Sequence, residues 1–183
     1  MALRKKRIRL WIMTFLGILL LPAGSIPGEE IREEQIKAAF LYNFAKFIEW
    51  PTDSFKSESS PLGLYILGTD HWGPYIDVLK EKNVKGRKIV LRRISRPENL
   101  EECHILFISA SERNNLRSHL ALLKNHNILT VSDMERFAHQ GGMIGLINIE
   151  GKINFEVNIE TVYSSRLKFS AQLLKVARII RNG

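Results

Sequence analysis

The chain has 183 residues, a formal net charge of +8 and a single cysteine. That length suits one ordinary domain with a sizeable core. A lone cysteine excludes an internal disulfide. The positive balance would suit a nucleic-acid partner if it were spread over the chain, but it is not.

Residues Met1 to Ser25 have the tripartite pattern of a secretory signal. Arg4, Lys5, Lys6, Arg7 and Arg9 form a charged n-region, and Leu10 to Leu21 an apolar run. That run is shorter than the about 20 residues of a comfortable membrane span. Pro22 breaks it, and Ala23-Gly24-Ser25 offers small residues for cleavage. The expected division is a signal peptide over 1–25 and one domain over 26–183, exported to the periplasm. An uncleaved anchor is the alternative. Without the five n-region cations the chain holds 22 basic against 19 acidic residues, net +3. No nucleic-acid partner is therefore expected.

A helix is predicted over Glu30 to Glu49. Ile36, Ala39, Phe40, Asn43, Phe44 and Phe47 mark one face, with Asn43 in its middle. The aromatic stripe Phe40, Tyr42, Phe44, Phe47 and Trp50 reads as core. Glu29, Glu30, Glu33 and Glu34 suit the helix's positive end, and Pro51 stops it. Thr52 to Pro61 is a polar loop.

Strands are predicted at Leu62–Gly68, Lys88–Ile94, Cys103–Ser109 and Ile128–Val131. Helices fall between them at Trp72–Lys82, with Pro74 in the first turn, and from Ser111 or Glu112 to Lys124. Cys103–Ser109 is almost wholly apolar and so central in the sheet. Cys103 reads as a small buried hydrophobe with a free thiol. Ser132-Asp133 leads into a short helix through Phe137-Ala138. Strands that alternate with helices argue a parallel sheet.

The chain from Gly141 to Arg181 reads as a hairpin and a basic helix. Glu150-Gly151 is the turn. In the second strand Ile153, Phe155, Val157 and Ile159 alternate with Asn154, Glu156, Asn158 and Glu160, which predicts one buried and one wet face. Ser170 is the predicted N-cap of a helix marked by Leu173, Leu174, Ala177 and Ile180. The expected fold is a single α/β domain: a mixed, largely parallel sheet of about six strands flanked by helices, closed by a C-terminal β-hairpin and helix.

Chemistry-bearing motifs are absent. There is no GxSxG, HExxH, P-loop or GxGxxG. His119 and His126 lie seven apart without an intervening acid and read as surface residues rather than metal ligands. Gly141-Gly142 reads as a turn, with an anion-binding loop as the sharper alternative. No catalytic residue, metal or cofactor is expected.

The segments EEQIKAAFLYNFAKFIEWP and FAHQGGMIGLINIEGKINFEVNIETVYSSRLKFSAQLLKVARIIR, with CHILFIS and TVSDMERFA between them, resemble the YfiR family of periplasmic regulators. The resemblance runs from Glu30 to Arg181. It implies an exported α/β domain without catalytic activity, commonly a homodimer. Such a domain binds the periplasmic part of a membrane diguanylate cyclase or sensor protein and holds it inactive, so controlling cyclic di-GMP.

By position in the family, Glu156, Val162, Arg166 and Lys168, with Ser170 beside them, would carry the partner or ligand contact. Glu156 is then expected on the open strand face and Val162 as an apolar spot in a polar link. The family's paired cysteines are missing. Cys103 stands where one would lie, but Leu64 and Tyr65 occupy its partner's place, and Ala138 and Gly145 replace the second pair. A periplasmic small-ligand sensor with a small-molecule effector is the alternative reading, and an enzyme with an unrecognised site a third.

Overall fold

A computed structural model describes residues 32–69, 71–124 and 126–181. The expected signal segment therefore lies outside the described residues. Helix α1, Glu33–Phe47, runs into a two-residue strand β1, Ile48–Glu49. Then come β2 (Leu62–Leu67), the short helix α2 (Pro74–Asp77) with a 3-10 extension to Glu81, β3 (Asn83–Val84) and β4 (Arg87–Ile94). Strand β5 (Cys103–Ile108) is followed by a 3-10 turn and helix α3 (Leu116–Leu123), then β6 (Leu129–Ser132). A 3-10 turn at Ala138–Gln140 precedes β7 (Ile144–Ile149) and β8 (Lys152–Asn158). The chain closes with α4 (Ile159–Tyr163), β9 (Lys168–Phe169), α5 (Ala171–Val176) and β10 (Arg178–Ile180).

Among the described residues the main sheet has eight strands in the order β10-β8-β7-β6-β5-β2-β4-β3. The six expected strands form its body, and the two additions, β3 and β10, sit at its edges. Strands β4, β2, β5, β6 and β7 are parallel; β8 returns antiparallel to β7. Its turn is Glu150-Gly151, both with positive φ, 51° and 79°, the backbone that a two-residue hairpin needs. A second hairpin, β3 to β4, turns on Lys85 (φ 50°) and Gly86 (φ 79°). Strand β1 pairs with β9 in a separate two-stranded ribbon.

The sheet is packed on both sides. Leu64, Ile66, Ile105 and Phe107 face the core under α1, and Tyr65, Leu67, Leu106 and Ile108 the core under α3. This two-sided burial explains why β2 and β5 read as unbroken apolar runs. Cys103 is buried and free in the second core, as expected.

Three local expectations change. The buried stripe of α1 is Ala38, Leu41, Phe44 and Ala45, continued by Ile48 of β1, so Asn43 is exposed and needs no buried partner. The larger rings Phe40 and Phe47 pack on its flank, and Phe40, Phe44 and Phe155 form a ring cluster with centroids 5.1–5.9 Å apart. The predicted helix 72–82 has one α-turn at Pro74–Asp77 before tightening to 3-10. The last helix ends at Val176, after which 178–180 pairs with β8 and buries Ile180. Backbone bonding to an open strand edge overrides the helical spacing there.

Candidate functional site

In this strand order the direction of winding across the sheet reverses between the parallel strands β2 and β5, where doubly wound folds hold ligands at the strands' carboxyl ends. Here that place is taken by the protein's own side chains. A Cβ on Gly68 would meet Ser111 Oγ at 2.4 Å and Glu112 Cγ at 2.9 Å. Glu112 is fixed in turn by His119, Oε2 to Nε2 2.9 Å. His119 is thus largely buried in an ion-pair geometry rather than the surface histidine expected, while His126 is exposed.

An open cleft lies instead between the β1–β9 ribbon and the β3–β4 hairpin. Its volume is about 290 Å³. Buried Ala45, Ile48, Leu62 and Val84 contribute apolar lining, Trp50 and Phe55 aromatic lining, and Glu49, Lys85 and Arg87 charge. Arg87 stacks its guanidinium 3.7 Å from the Phe55 ring centroid and donates to the carbonyls of Ser57 and Ser60 at 2.9 and 2.6 Å. Lys85 Nζ donates to the Ile48 carbonyl at 3.0 Å, tying the hairpin to the end of α1.

Behind Phe55 lies His104, ring on ring at 4.2 Å. The pairing of β2 with β5 slips by one residue beside Gly63, leaving His104 as an extra residue in β5. A bulge of this kind re-aims a side chain. Nδ1 lies 3.0 Å from both the Gly63 amide and the Glu102 carbonyl, Nε2 lies 3.0 Å from the Ser54 carbonyl, and the His104 carbonyl accepts from Trp50 Nε1 at 3.1 Å. Burial holds the imidazole pKa below its ordinary value, since desolvation penalises the cation. Gly63 is required here, because a Cβ would lie 1.9 Å from the Glu102 carbonyl oxygen.

The segment after β8 borders this region. Val162 and Leu167 are buried, while Tyr163, Arg166 and Lys168 are exposed. Arg166 pairs with Asp53 at 2.8 Å, both side chains largely in solvent, and Lys168 lies opposite Glu49 in the ribbon. Ser170 caps α5 as expected, its Oγ accepting from the Leu173 amide at 3.2 Å, and its own amide donates to the Phe47 carbonyl.

Two of the site expectations are corrected. Glu156 is 6% exposed and Val162 4%. The alternation of β8 holds only for its first half; from Phe155 to Asn158 both faces are covered. The 3-10 turn at 138–140 lies over the polar face, where Ala138's carbonyl accepts from Asn158 Nδ2 at 2.8 Å. Strand β10 closes the edge. Glu156 is bracketed by His139 Nε2 at 3.7 Å and Arg178 NH1 at 3.6 Å. Val162 sits in α4, a helical turn capped by Asn158, and packs into the core. Arg166 and Lys168 are on the surface, as expected.

The remaining candidates resolve simply. Cys103 is enclosed, and burial pushes its thiol pKa far up, so a reactive thiolate has no support there. The Gly141 and Gly142 amides are spent on the carbonyls of Ala138 and Phe137; this is a turn, not an anion-binding loop. A Cβ at Gly145 would stand 3.7 Å from that of Ala138. That is the spacing of a disulfide, so the two positions without cysteines are spatial neighbours. No three His, Cys, Asp or Glu side chains gather as a metal site among the described residues.

Sequence reasoning missed Phe55, Lys85, Arg87 and His104. Their signals are weak: an isolated aromatic in a polar loop, a Lys-Gly turn, and a histidine inside an apolar run.

The family model described as YfiR/HmsC-like matches residues 34–178, most of the chain. No curated protein matches it.

Proposed function

Because the chain belongs to the YfiR/HmsC-like family, we propose that it is an exported regulatory binding protein. In this reading it resides in the periplasm after loss of residues 1–25, acts as a homodimer without catalysis of its own, and holds a membrane-bound diguanylate cyclase inactive. Release of that hold raises cyclic di-GMP in the cell.

The observation that carries the contact surface is the segment 162–168. It buries Val162 and Leu167 and leaves Tyr163, Arg166 and Lys168 in solvent. A segment anchored by two apolar side chains presents its charged and aromatic residues at low entropic cost. An aromatic with charged neighbours also suits the make-up of protein interfaces. A change at Glu156 acts on this surface only through the fold.

Deletion of the gene should raise cellular cyclic di-GMP, and wild-type protein with its leader should restore the low level. Unchanged cyclic di-GMP in the deletion strain would contradict the reading. A second reading, a sensor for a small ligand, is favoured by the aromatic and cationic cleft, and the two are compatible.

A further inference from the structure

We propose that the open edge of strand β10 binds an extended, acidic peptide segment of a partner protein, which adds to the sheet as a further strand. The proposal goes beyond the contact placed at 162–168, and its test uses no cyclase, so either can fail alone. Three observations carry it.

The first is the edge. Strand β10 is the last in its sheet and pairs only with β8 among the described residues. Backbone N–H and C=O groups on its outer side meet no strand, which makes them a template for pairing with another chain. An extended peptide has donors and acceptors at the matching spacing; a lipid surface has no such repeat.

The second is apolar exposure. Val176 is 71% exposed and Ile179 39%. Ile179 lies opposite Val157, which belongs to the core under α1. Both side chains therefore sit on one face of the sheet, and the cover of that face stops short of its edge. An apolar residue of an added strand, placed beside Ile179, would complete it.

The third is charge. Residues 161–183 hold five cations, Arg166, Lys168, Lys175, Arg178 and Arg181, and no acid. Arg166 pairs with Asp53, and Arg178 stands 3.6 Å from Glu156. Lys175 and Arg181 are exposed and have no ion pair among the described residues. Cations on an edge deter pairing with a second copy of that edge, since like charges would meet. The same cations select an acidic strand.

The test is calorimetric titration of a blocked peptide of alternating glutamate and valine into the full-length protein, with amide hydrogen exchange read over 178–180. Saturable binding is expected, with slower exchange across β10. A lysine–valine peptide should bind at least about tenfold more weakly, and so should the acidic peptide N-methylated along its backbone. The decisive variant is Lys175→Glu/Arg181→Glu. Both side chains are exposed, so the melting temperature should hold, while affinity for the acidic peptide falls about tenfold or more. Absence of saturable binding would overturn the proposal. So would equal binding of the lysine or N-methylated peptide, or a folded double variant that binds like the wild type. Binding to phosphatidylglycerol vesicles without peptide binding would overturn it in favour of lipid. A wild-type dimer that Ile179→Asp dissociates would overturn it in favour of a second copy.

Discussion

Strands β5 and β8 bury polar groups in opposite ways. In β5 every residue from Cys103 to Ile108 is enclosed, and the run of apolar letters says so. In β8 the letters alternate, and the alternation suggests a wet face. Lys152 and Asn154 are indeed exposed, yet Glu156 and Asn158 are as buried as the residues between them. Alternation therefore reports that one face is polar, not that it meets water. A polar face can be covered wherever partners await it. Asn158 is satisfied by Ala138, Thr161 and Met143, and Glu156 has the Arg178 guanidinium at 3.6 Å and the His139 ring at 3.7 Å, which offset the cost of burial.

The sharpest way to break this comparison is Glu156→Lys. On an open face a charge reversal changes stability by no more than about 0.5 kcal/mol. In the enclosed site it places an ammonium beside the Arg178 guanidinium, and an uncompensated buried charge costs about 3 kcal/mol or more. For a domain of this size that lowers Tm by about 10 °C. Thermal unfolding decides. An unchanged Tm would mean that this half of β8 is solvated after all.

A smaller effect is expected at the other buried polar group. His104 has a folded pKa below its ordinary value because of burial, whereas the unfolded chain has about 6.5. As pH falls through about 6.5 the unfolded chain takes up the proton first, so stability drops, and the loss levels off below the folded pKa. Urea unfolding at several values between pH 7.5 and 5 should show a steeper loss for wild type than for His104→Gln. Identical slopes would show that His104 is not held neutral.

Much of the architecture was legible. Six strands, the Glu150-Gly151 turn, the Ser170 cap, the buried Cys103 and the family were all read from the sequence. The two edge strands were not, because each has two or three residues and its pairing is set by distant chain. Ile180 illustrates this: its spacing fits a helix, but an open β8 edge captures it. The candidate site was half legible. Arg166 and Lys168 were placed on the surface correctly. Glu156 and Val162 were not, because the cover over Glu156 comes from residues 138–140, and Val162 is turned inward by α4. The cleft was invisible, since its walls come from α1, the 50–61 loop and the β3–β4 hairpin.

In the proposed function, partner contact belongs to the exposed segment around Arg166 and Lys168 and not to the face of β8. The direct measurement is binding of the full-length double variant Arg166→Glu/Lys168→Glu to membranes carrying the proposed diguanylate cyclase partner, with Tm recorded in parallel. The Arg166–Asp53 pair is largely in solvent, and such pairs contribute at most about 1 kcal/mol, so Tm should move by only a few degrees. Like-charge juxtaposition at an interface costs several kcal/mol, so affinity should fall about a hundredfold or more. A normally melting double variant that still binds these membranes with wild-type affinity would contradict the account.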